Sequence, residues 1–98
     1  MMSEQFLKDP NAILDYAIDW SAGYLAAGEQ ITASSWFILP QGTVGDLSID
    51  NIPPELSGVT TVFVAGGLAG RIYQLTNRIT TDQSRTDERS LIIRVEEK

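Results

Sequence analysis

The chain has 98 residues, with thirteen acidic and seven basic side chains for a net charge of −6, 43% hydrophobic residues, and a mean hydropathy of −0.04. This is the composition of one globular domain spanning residues 1–98, and its acidic balance argues against a nucleic-acid partner, whose phosphates call for Lys and Arg. Cys and His are both absent, which removes thiolate nucleophiles, disulfides, structural zinc sites, His general bases and the usual hydrolase triads.

No apolar run approaches the roughly 20 residues a membrane-crossing helix needs. Met1–Pro10 lacks the basic flank and apolar core of a secretion signal. The expectation is a protein made in the cytoplasm with no membrane partner, whose residues 1–11 form an extended N-terminal arm.

From Ile13 onward, period-two alternation dominates the chain. Leu14, Tyr16, Ile18 and Trp20 fall on one side of a strand, with Asp15, Ala17 and Asp19 on the other. Ser21–Gly28, rich in Ala and Leu, predicts a short helical turn stopped by Gly28. Glu29–Leu39 reads as a second strand ended by Pro40. Leu47 and Ile49 are expected on the inner face of a short third strand, and Asn51–Glu55, with its two prolines, as a loop. Gly58–Ala65 is a strong strand. Gly66–Arg71 resembles a phosphate-cradling loop only superficially, since no Gly-Lys-Ser/Thr comes after it, and reads as a hairpin turn.

Arg71–Thr81 alternates again, with Tyr73, Leu75 and Ile79 on one side. A polar run over Thr81–Arg89 leads to a last strand with Leu91, Ile93 and Val95 facing in. Such spacing predicts an all-β fold, an antiparallel β-sandwich of about six to seven strands with the short helical turn after the first. The small-residue turn before Tyr73 matches the tyrosine corner of immunoglobulin-like domains.

The chemistry-bearing residues are few. Asp15 and Asp19 lie about 13 Å apart along an extended strand, too far to share a metal or a proton. Asp46, Asp50 and Glu55 do not have the spacing of a calcium loop. Neither a metal nor a cofactor is expected. Trp20 continues a buried face; Trp36 is a candidate interface anchor if exposed. Arg85, Asp87, Glu88 and Arg89 place four charges within five residues. They read either as a solvated loop with local ion pairs or as a docking loop in which arginine pairs with a partner carboxylate.

Several stretches, in order, resemble one family. They are Asp9-Pro10, Leu14–Ser21, Tyr24-Leu25-Ala26, Ile31–Trp36, Thr60–Gly67, Gly70, Tyr73, Leu75–Thr81 and Arg85–Leu91. Together they are similar to small tailed-phage and prophage virion proteins described as fibre–tail adaptors. Tyr24 stands where a Trp is expected, and residues 40–58 are unmatched. The resemblance carries no catalytic motif. It implies a non-enzymatic component of the virion tail, assembled in the host cytoplasm and present in several copies. Its partners would be other virion proteins: tail, neck or fibre subunits. Two rival readings stand beside it. One is an immunoglobulin-like carbohydrate-binding or adhesion module, which needs an exposed aromatic platform. The other is a carboxylate-only glycosidase, which needs two facing carboxyl groups.

Overall fold

The computed structural model describes residues 4–97 and contains seven strands. They are β1 (Glu4–Lys8), β2 (Leu14–Asp19), β3 (Ile31–Leu39), β4 (Ser48–Asn51), β5 (Val59–Ala65), β6 (Ile72–Thr81) and β7 (Thr86–Val95). Two sheets form, ordered β1-β7-β6-β3 and β2-β5-β4. Along β2, β3, β5, β6 and β7, apolar residues two apart turn inward and meet between the layers. Tyr16, Ile18, Trp20, Trp36, Ile38, Leu47, Val62, Val64, Tyr73, Leu75, Ile79, Leu91, Ile93 and Val95 make this single core.

The structure departs from the sequence reading at five places. No helical turn comes after β2: residues 20–28 are turns, closed by a hydrogen bond from Leu25 N to Trp20 O (3.0 Å). Gly23 sits at φ 88°, a left-handed conformation that interrupts any run of helical residues before it can propagate. Gly66–Arg71 is not a hairpin, because β5 and β6 lie in different sheets and the segment crosses between them. The crossing is tight: a Cβ on Gly67 would stand 2.6 Å from a Val95 methyl. Ile49 is exposed, because β4 is a short rim strand with a bulge between Ile49 and Asn51; Leu47 alone turns into the core.

The remaining two departures concern the strands at either end of the chain. Residues 4–8 of the expected arm are a strand paired parallel to β7, while residues 1–3 lie outside the described residues; every other strand pairing is antiparallel. β7 begins at Thr86, so most of the polar run is strand, and the turn is confined to Asp82–Arg85. That hairpin closes with Thr81 N to Arg85 O (2.8 Å) and Ser84 N to Thr81 O (3.1 Å), with Ser84 left-handed at φ 61°.

Three polar groups punctuate the inner face of β6 at intervals of four residues: Tyr73, Asn77 and Thr81, all buried. Asn77 stands midway. Its Oδ1 accepts from Trp20 Nε1 (2.9 Å) and Thr60 Oγ1 (2.7 Å), and its Nδ2 donates to Ser34 Oγ (2.9 Å) and Ser35 O (3.0 Å). All four hydrogen-bonding positions of the amide are filled. Because Thr60 belongs to one sheet and Ser34 to the other, one side chain joins the layers. Tyr73 anchors the near end: its hydroxyl donates to Asp46 Oδ1 (2.7 Å) and accepts from Leu68 N (3.0 Å), the back-bond of a tyrosine corner.

Asn77→Ala is expected to cost about 3 kcal/mol or more in urea unfolding, because the Trp20 and Thr60 donors lose their acceptor inside the core. Leu75→Ala and Ile93→Ala, which remove fully buried side chains, are expected to cost about 2–5 kcal/mol each. A loss below about 1 kcal/mol for Asn77→Ala would show that the amide does not hold the sheets together.

Candidate functional site

Strand alternation divides the charged run. Asp87 and Arg89 continue the inward face of β7, whereas Glu88 points outward. Glu88 pairs across the outer face with Arg78 (3.4 Å), a solvent-exposed contact of little energetic weight. Asp87 Oδ1 accepts from Glu88 N (2.7 Å). Trp36 is not with them. It is buried in the core and only 6% exposed, because β3 presents Trp36 and Ile38 inward, so it is a core residue and not the surface anchor its sequence context allowed. Trp20 is fully buried as well, so neither tryptophan offers the exposed platform that a carbohydrate module needs.

Arg85 and Arg89 do come together, at the far end of β6, around Tyr24. Arg85 stacks on the Tyr24 ring at 4.3 Å, and Arg89 lies over Trp20 at 4.4 Å and Tyr24 at 5.7 Å. The Tyr24 ring meets Trp20 edge-on at 5.1 Å. Arg85 also forks onto Glu29, Nε to Oε2 (2.9 Å) and Nη2 to Oε1 (2.5 Å), and reaches Tyr24 O (3.0 Å). Glu29 receives further bonds from Ala26 N (2.9 Å) and Thr81 Oγ1 (2.5 Å). Its carboxylate is closed off from solvent, while the arginine remains 43% exposed.

The consequence is electrostatic. The Arg85 hydrogen bond, followed by those from Ala26 and Thr81, pulls the Glu29 carboxyl down to about 2 against the opposing effect of burial. Glu29 in turn raises Arg85. Arg85 is thus engaged within its own chain. Arg89 is different: among the described residues it makes no salt bridge, since Asp46, Glu88, Glu29 and Glu96 are the carboxylates taken by arginines and none is taken by Arg89. Its guanidinium is instead stacked on the two rings.

The other acidic candidates serve the scaffold. Asp46 accepts from Tyr73, from Thr43 N (2.8 Å) and from Arg71 (3.1 Å). The Tyr73 and Thr43 bonds lower its pKa most. Glu55 Oε2 accepts from Gly58 N (2.7 Å). A groove of about 490 Å³ runs between residues 21–30 and 55–58, with Glu29 and Glu55 in its lining, but one carboxylate is locked to Arg85 and the other to backbone. Among the described residues no three acidic side chains converge as a metal site would require.

Sequence reasoning misses Glu29, Asp46, Asn77 and Lys8 as functional or structural anchors. Lys8 is buried, and its Nζ donates to Asp9 O (2.9 Å) and Gly66 O (2.6 Å). Burial lowers its pKa, with Asp9 acting in the opposite direction. Only Asp46 carries a detectable signal, its presence in a turn ahead of a predicted tyrosine corner.

The Glu29 pair has a pH signature. Its pKa falls from 4.5 to about 2 on folding, so its stabilisation is complete above the unfolded value and is lost as pH drops through that window. The melting temperature of the wild type is expected to exceed that of Glu29→Gln at pH 7, with the gap closing between about pH 4.5 and pH 2. A gap that stays constant across that range would contradict the pairing.

Comparison with known proteins bears on the whole chain. Among curated proteins no relative matches. The fold is similar to that of a solved structure titled "Solution structure of the PKD domain from KIAA 1837 protein", with a TM-score of 0.54, 20% identity, and coverage of 98% of this chain and 81% of that one. At that identity the likeness concerns architecture alone: an immunoglobulin-like sandwich. Residues 8–94 match the family described as Podophage GP4 fiber-tail adaptor protein gp77. This stretch takes in β2 to β6, nearly all of β7, and both ends of the sandwich, including the Glu29–Arg85 clasp and Arg89. The chain therefore belongs to the phage fibre–tail adaptor family.

Proposed function

We propose that this chain is a non-enzymatic structural protein of the virion tail that links tail or neck proteins to fibres or to neighbouring tail subunits, in several copies per particle. The observation that carries the reading is family membership over residues 8–94. The structure is consistent with it. The carboxylates that could do acid–base work at the sandwich ends are committed to arginine, tyrosine or backbone. The partners are other virion proteins rather than nucleic acid or membrane, and assembly takes place in the host cytoplasm.

The end that bears Arg85, Asp87, Glu88 and Arg89 is the contact surface of this reading. Arg85 holds the end rigid through Glu29, and Arg89, stacked on Trp20 and Tyr24, presents its free donors to a partner carboxylate. Rigidity matters because a preorganised cation loses less conformational freedom when it docks.

Arg89→Glu is expected to lower stability by only about 1 kcal/mol, the worth of its stacking, yet to be incorporated poorly into phage particles. Arg89→Gln, which keeps the stem without the charge, should fall between the two. Quantitative mass spectrometry of purified particles from complemented lysates measures this. Normal incorporation of the folded Arg89→Glu protein would refute the assignment of Arg89.

A further inference from the structure

Four strands stand at sheet edges: β1 and β3 in one sheet, β2 and β4 in the other. An open edge exposes unpaired N–H and C=O groups, and proteins ordinarily blunt it by shortness, charge, proline or a bulge. Three of these edges are blunted. β1 has five residues and ends on the inward-turned charge of Lys8. β2 carries Asp15 and Asp19 along its exposed positions. β4 has four residues, one of them Asp50, and is bulged. β3 is the exception. It runs for nine residues, Ile-Thr-Ala-Ser-Ser-Trp-Phe-Ile-Leu, with neither charge nor proline, and its bulge is confined to the Ile31/Ala33 end. A long uncharged edge of this composition pairs readily with another strand.

Beside that edge lies a groove of about 330 Å³, walled by the first half of β3 and Trp36 on one side and by Ile52, Pro53, Pro54 and Glu55 on the other. Trp36 lines this groove, and its buried Nε1–H has no acceptor among the described residues. That atom is enclosed by the protein itself, so a chain lying in the groove meets the rim of the Trp36 side chain and not its N–H. Edge and groove coincide.

We propose that β3 receives an extended segment of a partner virion protein as an added strand, a step that rests on the adaptor reading above. The segment is uncharged where it runs along Ser34–Trp36. It is apolar beside the exposed Phe37 and Leu39, and basic at the Ile31 end, where Glu55 flanks the groove. Charge selects a partner of this kind over a second copy, since each copy carries −6.

The test uses the full chain and short synthetic peptides tiling the tail and fibre proteins encoded by the same phage. A binding peptide is expected to slow hydrogen exchange at residues 32–39 and to change tryptophan fluorescence. Its affinity should fall by about tenfold or more in the double variant A33K/S35K, whose new lysines sit at exposed positions of the edge. Ile72→Lys, on the outer face of β6 in the same sheet, should bind as the wild type does. Protection elsewhere, or equal binding by the edge variant, overturns the proposal. So does concentration-dependent dimerisation that protects β3 without any peptide, which would make a second copy the occupant. If no peptide binds, or A33K/S35K enters particles normally, while the wild type is found in particles, the β3 assignment falls and the adaptor reading stands. If the wild type itself is absent from particles, the adaptor reading falls.

Discussion

The amide of Asn77 is the constraint around which the sandwich is arranged. Two sheets packed through apolar side chains alone can slide, because hydrophobic contact is non-directional. A buried amide with four fixed partners cannot. It demands that Trp20 and Thr60 from one layer and Ser34 and Ser35 from the other occupy single positions. Any slip of β3 against β6 by one residue would remove the Ser34 and Ser35 acceptors and leave donors stranded in a low-dielectric interior.

The same strand carries the two other fixed points. Tyr73 at one end of β6 is tied to Asp46, and Thr81 at the other end to Glu29. Each carboxylate is also held by an arginine from just outside the strand, Arg71 and Arg85 respectively. The core thus holds the Asn77 amide at its middle and is closed at each end by a carboxylate bound to a hydroxyl and an arginine. With Arg71 and Arg85 in these places, Arg89 is left as a ring-stacked cation that has no carboxylate partner among the described residues.

How far the chain can be read without its fold depends on the range of each interaction. β2, β5, β6 and the end of β7 announce themselves because each buries one face, so alternation is written locally. β1 is legible only as an extended arm: its parallel pairing with β7 links residues more than eighty positions apart, and one inward Phe6 is too little pattern. Glu29 and Arg85 lie 56 residues apart, so nothing near either reveals the other. Asn77 escapes notice because polarity at an inward position reads as a break in the alternation rather than as its anchor. Tyr73 is visible because its turn and its spacing are local. Trp36 is ambiguous because Thr32 and Ser34, which precede it on the same side of β3, are small and polar, and only packing against the opposite sheet settles it.

The parallel β1–β7 pair bears on how the domain carries mechanical load. In most of the sandwich neighbouring strands run antiparallel, and a hairpin pulled from its open end unzips one bond at a time. β1 and β7 run side by side in the same direction, from Glu4 beside Leu91 to Lys8 beside Val95. Tension applied at the start of β1 and the end of β7 acts along the strands, so the evenly spaced ladder bonds share the force and must yield together. The Lys8 ammonium, bound to Gly66 O, adds a cross-brace at the end of this pair, and Glu96 N bonded to Lys8 O (2.9 Å) extends it by one rung. A load applied across these two strand ends therefore meets the sandwich in its stiff direction.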